Sequence, residues 1–289
     1  MTIAQQQTTE NKSQIDWSRI GIWVGVVLIL LFCLAPVLWQ LLTSFKTNEA
    51  ISAIPNIYFP TPNQLTTSHY TNLGWTFWRY VFNSGFVSIV STMICLAIGA
   101  PAAYTLARLK IPGQSIILAC VLIVSLFPYV LLFLGLLEIV KALNLGNNYI
   151  ALIVPYTAIN LPLTILVLRS FFQQLPKDLE DSAKVDGYNT VQMLLQIVLP
   201  MTIPALVTTG ILTLIFAWNE FIFALTFITE EDMLTIPVAV ARIGGASAFE
   251  IPYGPIAAAT VIGTFPLVVL VLFFQRRIVQ GITAGAVKG

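Results

Sequence analysis

Apolar positions in this chain cluster into long, nearly unbroken runs, without the polar residue every turn or two that marks a helix half exposed to water. Six runs stand out: 20–42, 82–106, 115–140, 149–168, 202–227 and 255–274, with more polar sequence between them. Each is close to or above the ~20 residues an α-helix needs to cross the hydrocarbon core of a bilayer. The pattern predicts an all-α integral membrane protein with six transmembrane helices. One membrane domain covers 15–289, and the Gln- and Thr-rich stretch 1–14 has too little to bury and is expected to be a disordered cytoplasmic tail.

Composition agrees, with 57% hydrophobic and only 9% charged residues among 289. A formal net charge of +1 carries no nucleic-acid footprint. The first run is too long for the apolar core of a signal peptide and lacks a small-residue cleavage site, so it is expected to stay as a span. Lys and Arg set the orientation. With the N-terminus inside, ten lie on inner segments and Lys46, Arg79, Lys141 and Arg242 on outer ones, so both termini are expected in the cytoplasm.

Little conventional active-site chemistry is present. Cys33, Cys95 and Cys120 all fall within apolar runs as small hydrophobes, with no metal-ligand spacing and no disulfide framework. His69 is the only histidine, and in an outer loop it reads as a surface residue without a role. No phosphate-binding glycine loop occurs, so any nucleotide chemistry belongs to a partner. The loop over 43–81 ends in Trp75, Phe77, Trp78 and Tyr80, which suit the headgroup level before the second span. Pro101, Pro128, Pro155, Pro162, Pro204 and Pro266 fall in spans; bent helices around a cavity tolerate them best.

Two acids lie in or at the edge of the membrane. Glu138 has Lys141 one turn on and reads as an interfacial pair. Glu220 lies deeper, beside Trp218 and Asn219, and cannot face lipid cheaply. The three are expected to face the bundle interior, either holding helices together or lining a translocation path, with the path favoured.

The longest inner loop, 169–200, reads as two short helices. Pro176 suits a first helical position, and Asp178, Glu180 and Asp181 suit the positive N-terminal end. Gly187 suits a stop, with a second helix starting near Asn189 or Thr190. Leu179, Ser182, Ala183 and Asp186 share one face of the first helix, small enough to let another protein approach closely.

This loop resembles the "EAA" loop of ABC importer permeases, in which Glu-Ala-Ala is followed at fixed spacing by Gly and then Ile-x-Leu-Pro. Asp181, Ser182 and Ala183 hold the first three places, Gly187 the glycine, and Ile197, Leu199 and Pro200 the end. Asp for Glu and Ser for Ala keep charge sign and small volume. Asp186-Gly187, the run 218–221 and the tail 281–289 are similar to the maltose-type, MalG-like carbohydrate permeases.

That resemblance implies a type I ABC importer permease fold. It implies coupling to an ATPase through Glu180, Asp181, Ser182, Ala183, Asp186, Gly187, Ile197, Leu199 and Pro200, and contact through the cytoplasmic tail 275–289 at Gly285, Lys288 and Gly289. The implied assembly is a heterodimer with a second homologous permease, two ATPase subunits and an extracytoplasmic solute-binding protein, set in lipid and passing a sugar. ATP and Mg would sit in the ATPase subunits, and this chain would bind no cofactor and no metal. A permease for a non-sugar solute such as glycerol phosphate or an osmolyte is the alternative. A secondary transporter would need inverted repeats and more coupling groups in the membrane than Glu138 and Glu220.

Overall fold

A computed structural model describes residues 17–244 and 251–286, so the 1–14 tail and Lys288 and Gly289 lie outside the described residues. Within them the chain is helical, and the only β pairing is a single bridge between Lys46 and Leu65. The main helices are α1 (Trp17–Ser44), α2 (Gly74–Arg108), α3 (Gln114–Leu126), α4 (Phe133–Ala142), α5 (Ile150–Gln174), α6 (Lys177–Val185), α7 (Thr190–Met201), α8 (Ile203–Asn219), α9 (Ile222–Phe227), α10 (Ile236–Gly244) and α11 (Tyr253–Ala286). Four are long and apolar enough to cross a membrane, over Gly21–Ser44, Gly74–Arg108, Ile150–Gln174 and Tyr253–Ile278. Counting each of two bent pairs, Gln114–Leu126 with Tyr129–Ala142 and Thr190–Met201 with Ile203–Asn219, as one span gives up to six.

Two expected spans are broken. The run 115–140 bends by 90° between α3 and the turn beginning at Tyr129. Pro128 offers no N–H to continue the helix and pushes Phe127 into extended backbone (φ −72°, ψ 133°). The run 202–227 stops at Glu220, also extended (φ −65°, ψ 133°), and restarts as α9. α2 begins well before the expected residue 82, so Trp75, Phe77, Trp78 and Tyr80 sit on its first turns instead of in a loop. α11 likewise outruns its expected end and takes Gly285 into its last helical turn.

α2 packs along α5 and against α8, and α1 lies along α11. Lipid is as apolar as leucine, so close packing must come from small and hydroxylated residues. Ser88, Ser91, Thr92 and Cys95 of α2 meet Thr157, Asn160 and Thr164 of α5 and Thr209 and Thr213 of α8 in a buried belt. Most of these side chains satisfy themselves on the preceding turn or on each other, as Thr157 does on Ile153 O (2.8 Å) and Cys95 on Thr164 (3.3 Å). At Gly99 an added Cβ would fall 2.7 Å from Thr164 Cγ2, so the Thr164 side chain packs directly on the α2 backbone there.

Apolar clusters lie above and below the belt. One joins Phe77, Tyr80 and Val87 to α5, α9 and α10; the other joins Ala103, Tyr104 and Leu106 to Phe172, Ala183, Met193 and Val198. α1 keeps its Ile, Leu, Val and Phe side chains exposed, as a lipid-facing or partner-facing helix does.

His69 is buried, against expectation. Its Nε2 lies 2.8 Å from Lys46 O, and the ring fills the space a side chain at Gly254 would take. A single histidine in a polar segment gives no sign that the loop between α1 and α2 folds back over the start of α11. Lys46 is buried with it, its Nζ on Ile57 O and over the Trp39 ring, and desolvation holds its pKa below the usual lysine range. Glu138 and Lys141 do form the expected exposed pair (3.3 Å).

Candidate functional site

Two regions hold the residues that the sequence singled out. The first is the 169–200 loop. Lys177–Val185 is a short helix, with Pro176 as its N-cap, one place earlier than expected, and with Asp178 and Glu180 at its positive end. It ends in a Schellman motif: Tyr188 N donates to Ala183 O (3.0 Å), Gly187 N to Lys184 O (3.1 Å), and Gly187 takes φ +82°. The next helix is opened by a capping box between Asn189 and Gln192 (2.9 and 3.1 Å).

α7 then widens to a π-turn over Leu194–Val198, which includes Ile197. Pro200 follows; its ring cannot sit against a normal i−4 carbonyl, so the wider turn accommodates it. α7 meets α8 at 79°. Ile197 and Leu199 pack on the inner cluster, while Pro200 is exposed.

The structure divides the expected docking face. Asp181, Ser182, Lys184, Val185 and Asp186 are exposed, with Asp181 paired to Lys184 at 3.1 Å. Ala183 is turned the other way, 2% exposed in the cluster of Tyr104, Phe172 and Met193. Its small side chain lets α6 sit close to this chain's own spans. Glu180 also faces inward, with Oε1 3.0 Å from Arg108 Nε at the end of α2. Sequence reading missed Arg108 because its partner lies across two helices.

The second region is the break after α8. Trp218 is buried and its indole N–H donates to Gly263 O (3.2 Å). Glu220 is also buried, and every near donor points at its carboxylate: Tyr156 Oη at 2.6 Å and the N–H groups of Ile222, Phe223 and Ala224 at 2.9, 3.1 and 3.3 Å. It therefore caps α9 and ties α8 to α5, which is the helix-holding role weighed against the path.

Asn219 is the exposed member of the three. It sits one turn beyond Phe216, which helps wall a mostly apolar cleft of about 500 Å³ with Ile123, Phe127, Tyr129, Val154 and Asn160. The cleft lies at the α3 break. Tyr156 and Asn160 carried no signal in the sequence beyond being polar residues in an apolar run. No group of His, Cys, Asp or Glu among the described residues is arranged to hold a metal ion.

At the opposite end of α2 a polar network fastens the segment 229–236. Asn83 donates to Asp232 O and Leu234 O (2.9 Å each) and accepts from Tyr149 Oη (2.7 Å). Arg79 pairs with Asp232 at 3.1 Å.

The chain is similar to known proteins in sequence and in fold. Over 92% of its length the chain is 38% identical to the sulfoquinovosyl glycerol transport system permease protein SmoH of Agrobacterium fabrum, of which it covers 93%. Over 94% it is 37% identical to the trehalose/maltose transport system permease protein MalG of Thermococcus litoralis, covering 97%. A chain from the crystal structure of a bacterial ABC transporter that imports the acidic polysaccharide alginate matches the fold with a TM-score of 0.76, at 21% identity over 91% of this chain and 98% of that one. Residues 96–284, from the middle of α2 to the end of α11, match the binding-protein-dependent transport system inner membrane component model. The 169–200 loop lies within that match, and the chain belongs to this family of multi-pass membrane permeases.

Proposed function

We propose that this chain is the sugar-translocating permease subunit of an ATP-driven importer. The observation that carries it is the two-sided α6, seated by Ala183 on the spans and presenting Asp181, Ser182, Val185 and Asp186 outward at one end of the bundle. A helix so placed can receive a push from a soluble partner and pass it to the membrane. Relatives named for sulfoquinovosyl glycerol and for trehalose and maltose support a sugar as cargo.

In this assembly a second homologous permease closes the cleft beside Asn219, two ATPase subunits hold ATP and Mg and dock on α6, and a solute-binding protein delivers sugar to the other end. The ten-to-four distribution of basic residues supports a cytoplasmic side for α6 and both termini. The subunit alternates between two arrangements biased by ATP on one side and loaded binding protein on the other. The test is to reconstitute the four-component importer with its binding protein and measure ATP hydrolysis and uptake against a panel of mono- and disaccharides. Stimulation by at least one sugar is expected. Stimulation only by a non-sugar such as glycerol phosphate would overturn the cargo class.

A further inference from the structure

From the geometry we infer that Arg108 and Glu180 form a strut that carries motion of α6 into α2. The inference rests on α6 being the ATPase-coupling helix. It reassigns Glu180 from a partner-contacting residue to an internal positioning residue, and adds Arg108, which no motif marks.

Arg108 closes α2, and its guanidinium makes two contacts across the gap to α6. Nη2 donates to Leu175 O, just before the Pro176 cap, and Nε lies 3.0 Å from Glu180 Oε1 within the helix. The side chains are only 6% and 12% exposed. By contrast, Lys184 and Asp181 on the outer face are 60% and 70% exposed, in the range where an ion pair is screened and adds little.

Burial changes the role of a pair. Two desolvated charges barely improve stability over an apolar pair, but removing either one strands the other in a poor solvent. Such a pair is therefore a strong constraint on geometry. The guanidinium donates a hydrogen bond to the Leu175 carbonyl and meets the Glu180 carboxylate as a close ion pair outside hydrogen-bond alignment, so it sets the spacing of the two groups from one rigid plane, which a lysine ammonium does not.

The surroundings stiffen the same joint. Arg169 Nε, near the end of α5, donates to Leu106 O (3.0 Å), as does Gln114 Nε2 at the start of α3 (2.6 Å). Ala183, buried in the apolar cluster that also holds Tyr104, Phe172 and Met193, gives α6 one anchor on the spans, and the ion pair gives it a second point of attachment, on α2. One attachment permits rotation; two transmit it. α2 extends for 35 residues to the Arg79 and Asn83 network, so a tilt imposed at Arg108 reaches the segment 229–236 at the far end.

The test uses the reconstituted importer with Arg108→Gln, Glu180→Gln and the exchange Arg108→Glu with Glu180→Arg. ATPase co-purification, sugar-stimulated hydrolysis and sugar molecules transported per ATP are measured together. Each single variant is expected to keep the ATPase bound while transport per ATP falls about tenfold, and the exchange to recover at least a third of the wild-type ratio. A static brace would lower the yield of complex but leave that ratio intact, so an unchanged ratio in both single variants overturns the strut. Should a single variant lose the ATPase altogether, restored binding and ratio in the exchange support the pair, and no restoration overturns it. A wild-type complex that no sugar stimulates sinks the proposed function instead, so the two failures are distinct.

Discussion

At the scale of single residues, unusual conformations and buried charges mark the places where substitution should be informative. Gly187 sits at φ +82° with open space where a Cβ would project, so only its backbone resists change. A left-handed conformation costs an L-residue roughly 1–2 kcal/mol, less for Asn and more for a β-branched side chain. Sugar-stimulated ATP hydrolysis should fall in the order Gly187, Asn, Ala, Val, and full activity in Gly187→Val would show that the Schellman turn does not aim α6. Glu220 makes a different prediction. Its carboxyl group accepts four hydrogen bonds, and leaving a buried partner unpaired costs about 1–3 kcal/mol. Glu220→Gln should lower the thermal midpoint of the detergent-purified complex more than Tyr156→Phe, which removes one donor only. Equal midpoints in Glu220→Gln and wild type would remove the capping role.

At the scale of elements, helices meet where side chains are smallest. A Cβ at Gly99 lands 2.7 Å from Thr164 Cγ2, whereas one at Gly85 lands 3.8 Å from Trp218, an ordinary contact. Overpacking costs about 1–3 kcal/mol where neighbours cannot yield. Gly99→Leu should therefore cut the yield of folded permease sharply while Gly85→Ala leaves it near wild type; comparable yields, read by size-exclusion chromatography, would mean that Thr164 does not pack closely on Gly99. Ala183→Trp places its ring into the cluster of Tyr104 and Phe172. It should unseat α6 and weaken ATPase co-purification through this chain's own packing, with the six spans still inserted.

At the scale of the whole molecule, orientation is the property to test. Val185 is 87% exposed at the α6 end, and Asn63 is exposed in the outer loop. In a background without the native cysteines, Asn63→Cys in intact cells should react with a membrane-impermeant maleimide. Val185→Cys should react only after lysis. The reverse pattern would invert the topology and place α6 where no cytoplasmic ATPase could reach it.

What the sequence determined by itself was the solvent, the number of spans and the two short helices of the 169–200 loop. Transfer of an apolar run into lipid is a sum over neighbouring residues, so it can be read along the chain. The loop motif is equally local, since Gly187 terminates its helix by its own backbone freedom. Only the tertiary structure decided which way the marked residues point. Ala183 and Glu180 turn toward α2 and Asp181 away from it, His69 is buried under the start of α11, and Glu220 caps the helix after the break instead of opening onto the cleft. The rotation of each helix is set by many weak contacts with elements distant in sequence, as between Arg108 and Glu180, and no local period encodes them.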